Sequence, residues 1–317
     1  MATPPSARTR RWVFGAGVVA QSLIVVTGGL VRVTASGLGC PTWPRCFEGS
    51  YVPVSGQPQS FHKLIEFGNR LLTFVLVAVV IACVVVAWRR LPRRRPLVLL
   101  SAVGLLGVAA QAVIGGLSVL TDLNPYVVAL HFLVSMPLIA AALAVYERDQ
   151  DPGDGRPQPL VRREVRLLSY GLVGLASVVL VVGTLVTGSG PHSGDANHPA
   201  RTGFDPERIA WLHADLVVLF VGLVIGLLLA LHLVDAPTPA RRRVWVLLTV
   251  TLCQGLVGYV QFFTGVPWVL VGIHVMGAVL VWLAVLRVPY ALRTRPPASA
   301  QRDDGAAVGL PEQVRQR

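Results

Sequence analysis

Apolar positions gather into eight runs of about twenty residues, separated by short connections rich in Arg, Pro and Gly. The runs cover 12–33, 66–88, 97–119, 127–146, 167–187, 209–233, 244–263 and 268–287. Each is long enough for an α-helix to cross a hydrocarbon core about 30 Å thick. The pattern predicts an all-α integral membrane protein with eight transmembrane helices. The first run leads into Arg32 instead of a small-residue cleavage site, so it reads as a span and not as a removable signal peptide.

The runs repeat. QAVIGGLSVLTDLNPYVVALH (111–131) and QGLVGYVQFFTGVPWVLVGIH (254–274) share register at Gln111/Gln254, Gly115/Gly258, Thr121/Thr264 and His131/His274, each pair 143 positions apart. VTGGLVRVTASG (26–37) and VGTLVTGSG (182–190) form a gapped echo. Self-similarity at this period predicts two copies of one four-helix bundle. The expected organisation is a flexible leader 1–11, a first bundle 12–146, a linker 147–166, a second bundle 167–287 and a disordered tail 288–317.

Composition agrees with this layout: 53% of residues are hydrophobic and 14% charged, with a mean hydropathy of +0.62. The net charge of +12 does not point to nucleic acid, because the arginines cluster in short loops between apolar runs. Of the 28 Lys and Arg residues, 22 fall on the side that carries both termini. By the positive-inside rule that side is cytoplasmic, in a multi-pass protein of the cell membrane surrounded by lipid.

The first outer loop, 34–65, contains CPTWPRC with Cys40 and Cys46. An outer location favours a disulfide, and so small a ring would add roughly 2 kcal/mol. A redox-active pair is the alternative reading. In IEFGNR, Glu66, Asn69 and Arg70 share one helix face. Glu66 either forms an ion pair with Arg70 or serves as an acid, base or electrostatic group beside a ligand, and the residues alone leave both open.

Aligning Ile65 with Ile209 sets Asn69 opposite His213. The second half then has two membrane histidines, His213 and His274, where the first has His131 and Asn69. Two imidazoles on separate helices at similar depth suit bis-histidine heme iron. A zinc or di-iron site would need more ligands. Asp215 points to the opposite face of its helix, and the loop residues His192 and His198 read as solvated polar positions.

With these residues assembled, the chain resembles the heme A synthase family. GGLVRVTASGLGCPTWPRC, IEFGNR and the placement of His131, His213 and His274 carry the resemblance over about 12–287. It implies oxidation of a methyl group of heme O to the formyl group of heme A, for terminal oxidase biogenesis. It also implies a cofactor heme b on His213 and His274, and substrate heme in the first bundle near His131, Asn69 and Arg70. Glu66 would be catalytic, with the Cys40/Cys46 pair in the adjoining loop and a heme O synthase as partner. A homo-oligomer is a further expectation. The chain departs from the family pattern at Asn69, where EXXHR places a histidine; His62 lies too far along the helix to substitute. Two rival classes remain: a diheme b-type cytochrome that only passes electrons, and a proton-coupled transporter.

Overall fold

The computed structural model describes residues 3–58, 60–195 and 199–297. Eight helices build it: α1 (Ala7–Val33), α2 (His62–Arg89), α3 (Arg95–Leu120), α4 (Pro125–Asp149), α5 (Arg163–Ser189), α6 (Pro206–Leu233), α7 (Thr238–Phe263) and α8 (Trp268–Ala291). All eight are long and apolar enough to cross a membrane.

Local chemistry sets several helix starts. The side chains of Ser6, Asn124 and Asp205 accept hydrogen bonds from first-turn amides of α1, α4 and α6. Pro125 and Pro206 follow two of these caps, at the one helical position where a missing N–H costs nothing.

Helix α1 packs against α2 and α4, and α3 closes that ring; α5 packs against α6 and α8, and α7 closes the second. The rings meet through α1, α4, α5 and α8, and the Trp282 indole N–H donates to the Met136 carbonyl across the junction at 3.0 Å.

The inward positions of the two rings fall in one register. Buried pairs are Gly17/Leu172 and Gln21/Ala176 on α1/α5, and Leu76/Phe220, Val80/Val224 and Cys83/Leu227 on α2/α6. On α3/α7 they are Leu97/Ala240, Ser101/Val244 and Gly104/Leu247. The α3–α4 and α7–α8 turns also match. Leu123 and Val266 are both left-handed, and their amides donate to the Ser118 and Gln261 carbonyls at 2.8 Å.

The arginine-rich end is held by carboxylates of α4 and the chain just after it. Asp149 binds Arg10 and Arg90, and Glu147 binds Arg243 and Arg287. Asp151 takes Arg293 and Arg295, and Asp154 pairs with Arg94. Long arginine stems let the ends of α1, α2, α3, α7 and α8 reach this cluster while their apolar stretches stay clear of it.

Both ends of the expected layout are corrected. Helix α1 starts at Ala7, inside the leader, because Ser6 caps it there. The expected tail is ordered through 297: Val288 and Leu292 are 1% exposed. Strand β2 (Arg293–Thr294) pairs antiparallel with β1 (Gln158–Pro159), which lies in the linker. Composition concealed this because the partners lie far away in sequence. Residues 298–317 and His198 lie outside the described residues.

Candidate functional site

Each of the three membrane histidines presses its ring against a glycine of a neighbouring helix. A Cβ on Gly115, Gly183 or Gly258 would come within 3.0, 3.1 and 3.1 Å of Cε1 of His131, His213 and His274. Those glycines permit a close approach, which even a methyl group would crowd by a few tenths of an ångström. Behind two of the rings, Gln111 donates to the His131 carbonyl at 3.0 Å and Gln254 to the His274 carbonyl at 2.8 Å. The Gln, Gly and His of the sequence repeat are therefore one structural unit in each case.

Nδ1 of all three rings is buried without a hydrogen bond of regular geometry, although the Val179 carbonyl lies near enough to act on His213. Among the described residues no side chain or carbonyl engages Nε2 of these rings. His213 and His274 stand on α6 and α8, and among the described residues no side chain bonds to their ring nitrogens. No group of three or more His, Cys, Asp or Glu side chains able to hold a metal ion occurs among the described residues. That donor set fits an iron whose other ligands come from a porphyrin better than a protein-only centre.

The matching place in the first ring is different. Asn69 Oδ1 is buried with no partner. A Cβ on Gly28, the residue of α1 in register with Gly183, would meet nothing within 4 Å. His62 stays apart, its Nδ1 2.8 Å from the Ser36 hydroxyl and its ring stacked on Phe61. Asp215 is exposed, on the face of α6 away from His213.

Glu66 ties α2 to the cysteine loop. Its Oε2 accepts the Cys40 N–H at 2.6 Å, and its Oε1 accepts Arg70 Nη2 at 2.6 Å and Nε at 3.1 Å. Arg70 also donates to the carbonyls of Cys40, Thr42 and Arg45. Cys40 and Cys46 are disulfide-bonded and fully buried. The ion-pair reading of Glu66 is realised, and the loop it braces lies over the first ring, with the Trp43 indole seated on Gly116 of α3.

Two features escaped the sequence reading. Trp43 becomes a cap only because Gly116 leaves room for it. Arg32 joins the rings at the cysteine-loop end by donating to the His192 carbonyl at 2.7 Å and the Thr187 carbonyl at 2.9 Å. His192 continues the link through Nε2 to the Val266 carbonyl, and the Gly37 N–H donates to the Gly194 carbonyl. A charged residue inside the apolar GGLVRVT was the available signal for Arg32.

Fold and site together define a polytopic all-helical membrane protein with three helix-borne histidines packed against glycines of neighbouring helices. Comparison with known proteins narrows the class: the family described as COX15-CtaA, cytochrome oxidase assembly protein, matches residues 10–286. The chain belongs to that family.

Several relatives are named heme A synthase. The protein of Lysinibacillus sphaericus is 38% identical over 43% of each chain. That of Geobacillus thermodenitrificans is 38% identical over 38% of this chain and 37% of its own. The Halalkalibacterium halodurans protein is 28% identical over 80% of this chain and 85% of its own. The first two matches span less than half the length of those relatives.

Proposed function

We propose that this protein is a heme A synthase that oxidises the methyl group of heme O to the formyl group of heme A. The observation that carries the reading is the unequal pair of matched slots. His213 and His274 offer two imidazoles, whereas the residues in register with them are Asn69 and His131, and a Cβ on Gly28 would meet nothing within 4 Å. A resident cofactor would be held by two imidazoles and a substrate that must leave by one. The chain is accordingly read as two copies of one four-helix module, one for each porphyrin.

In this reading His213 and His274 hold a heme b, which supplies one-electron chemistry when bound. His131 holds the substrate iron on one side, and the Asn69 carboxamide is left to hydrogen-bond an oxygen of substrate or product. Glu66 keeps a negative charge beside this site that favours positive charge developing at the oxidised carbon. The disulfide-braced loop and Trp43 exclude water above it. With the arginine-rich end in the cytoplasm, both hemes lie toward the outer face. A heme O synthase in the same membrane is the partner that supplies the substrate.

The test is to purify the protein from cells with and without a heme O source, and to identify the extracted hemes by pyridine hemochrome spectra and mass. Heme b in both preparations, with heme A only where heme O was supplied, is expected. Two tightly held b hemes and no heme A would make the protein an electron carrier.

A further inference from the structure

A cavity of about 30 Å³, counted as space open to the centre of a water-sized sphere, lies inside the first ring. Phe14, Gly17 and Gln21 of α1, Cys83 of α2, and Ser101 and Gly104 of α3 form much of its wall. It sits toward the arginine-rich end, away from the histidines and the cysteine loop.

Two of its wall residues are polar and almost fully enclosed: Gln21 and Ser101 are each 4% exposed. Ser101 Oγ is buried with no hydrogen-bond partner, and among the described residues Gln21 makes no side-chain hydrogen bond. Four other helical hydroxyls behave differently. Ser22, Ser135, Ser177 and Thr251 all donate to the carbonyl four residues earlier. Ser101 has the same option at Leu97 and leaves it unused, so its hydroxyl is turned elsewhere.

The second ring shows what these positions hold when packed dry. The residues in register with Gly17, Gln21, Cys83, Ser101 and Gly104 are Leu172, Ala176, Leu227, Val244 and Leu247. All of them are apolar and at most 5% exposed. Two glycines thus face the space that two leucines fill, and two polar groups stand where alanine and valine suffice. Higher up, Ser135 of the first ring is in register with Ala278 of the second. The second ring has buried hydroxyls of its own, Ser169 and Thr251 in register with Phe14 and Val108, but both are bonded to helix carbonyls, so the difference lies in the unbonded groups of the first ring.

We propose that this cavity is a water site, holding one or two ordered waters bonded to the Ser101 hydroxyl and the Gln21 carboxamide. A water needs roughly 10–15 Å³ of centre-accessible volume and two or more polar partners, and genuinely empty cavities are apolar. This one has the volume for about two waters by that measure, and its largely apolar wall carries two polar side chains without partners, Gln21 and Ser101. Neither a lipid tail nor an apolar gas atom would satisfy them. The water leaves the first ring with an interior that can shift without parting a dry core.

Pulsed hydroxyl-radical labelling of the full-length protein in detergent, read by mass spectrometry, tests the site with an internal control. Phe14 lines the cavity and is 1% exposed, while Phe220 lies in the dry core and is 3% exposed. Shielding from bulk solvent is therefore equal, and Phe14 should be oxidised several-fold faster because bound water is its only radical source. The double variant Gln21→Leu/Ser101→Ala should bring Phe14 down to the rate of Phe220.

Should that variant fail to fold, Gly104→Ala serves instead, since its Cβ would make only an ordinary contact of 3.7 Å with Val80. It shrinks the cavity and should slow Phe14 labelling. Equal labelling of Phe14 and Phe220 in the native protein, or no response to either variant, overturns the proposal.

Discussion

Replacing Glu66 with Gln separates a structural from a chemical duty for that carboxylate. Glu66 accepts three hydrogen bonds, one from the Cys40 amide and two from Arg70, with its side chain 8% exposed and that of Arg70 23%. Glutamine keeps one acceptor and turns an NH2 toward a donor, so up to two charge-assisted bonds are lost, at roughly 1.5–3 kcal/mol each. Arg70 retains three carbonyl partners and some solvent, which limits the net cost to about 2–3 kcal/mol. Arg70→Gln should cost at least as much, because it also removes the three bonds to loop carbonyls and leaves the carboxylate without its counter-ion. Structural damage is thus no smaller in Arg70→Gln, while only Glu66→Gln removes the carboxylate. Heme A per heme b, measured by mass analysis of extracts from heme O-supplied cells, should fall on the order of 10²-fold or more in Glu66→Gln. Arg70→Gln should fall by less than about tenfold if positioning alone is weakened. Equal losses of heme A in both variants, tracking equal losses of thermal stability, would refute a chemical role for Glu66.

Four further outcomes are expected. His213→Ala and His274→Ala should each lose low-spin b absorbance from the purified protein, by more than the roughly 10–100-fold affinity changes typical of residues that only orient a metal ligand; full retention would reject the pair as ligands. If the first ring takes the substrate heme, Asn69→His should give that heme a low-spin spectrum and slow release of heme A, readable by transfer to an apo-heme acceptor. Alkylation without reductant should leave Cys40 and Cys46 as one linked peptide, and two alkylated cysteines would contradict the bond. Asp149→Asn removes the shared partner of Arg10 and the 7%-exposed Arg90. It should cost about 3 kcal/mol, which tryptophan-monitored melting would show as a fall of about 6–12 °C.

The spans were legible because each apolar run has to satisfy the bilayer by itself, whatever its neighbours do. The shared register of Gln111/Gln254 and His131/His274 was legible because ring, glycine and carbonyl must meet at fixed spacing across one helix pair. Three kinds of feature were not. Trp43 finds Gly116 across a loop whose path no periodicity encodes. Helix α8 extends past 287 because Val288 and Leu292 meet a core contributed by other helices. The unbonded hydroxyl of Ser101 stands out only against the other helical hydroxyls, all of which have the same option in sequence. Glu66 shows the boundary well: spacing placed it beside Arg70, but its bond to the Cys40 amide depends on how the loop folds back.

The carboxylates at the end of α4 bear on how the chain is made. Asp149 is neutralised by Arg10 and Arg90, both synthesised before it, so its charge is matched as soon as α4 is in place. Glu147, 6% exposed at its side chain, is matched only by Arg243 and Arg287. These residues leave the ribosome some hundred residues later. Until α7 and α8 arrive, the first four helices carry an acid whose counter-ions do not yet exist. That delayed pairing favours docking of the second half onto the first and penalises any species in which the halves part. The two rings share an architecture, but a gene fragment ending after α4 would encode a helix bundle still waiting for its last two cations.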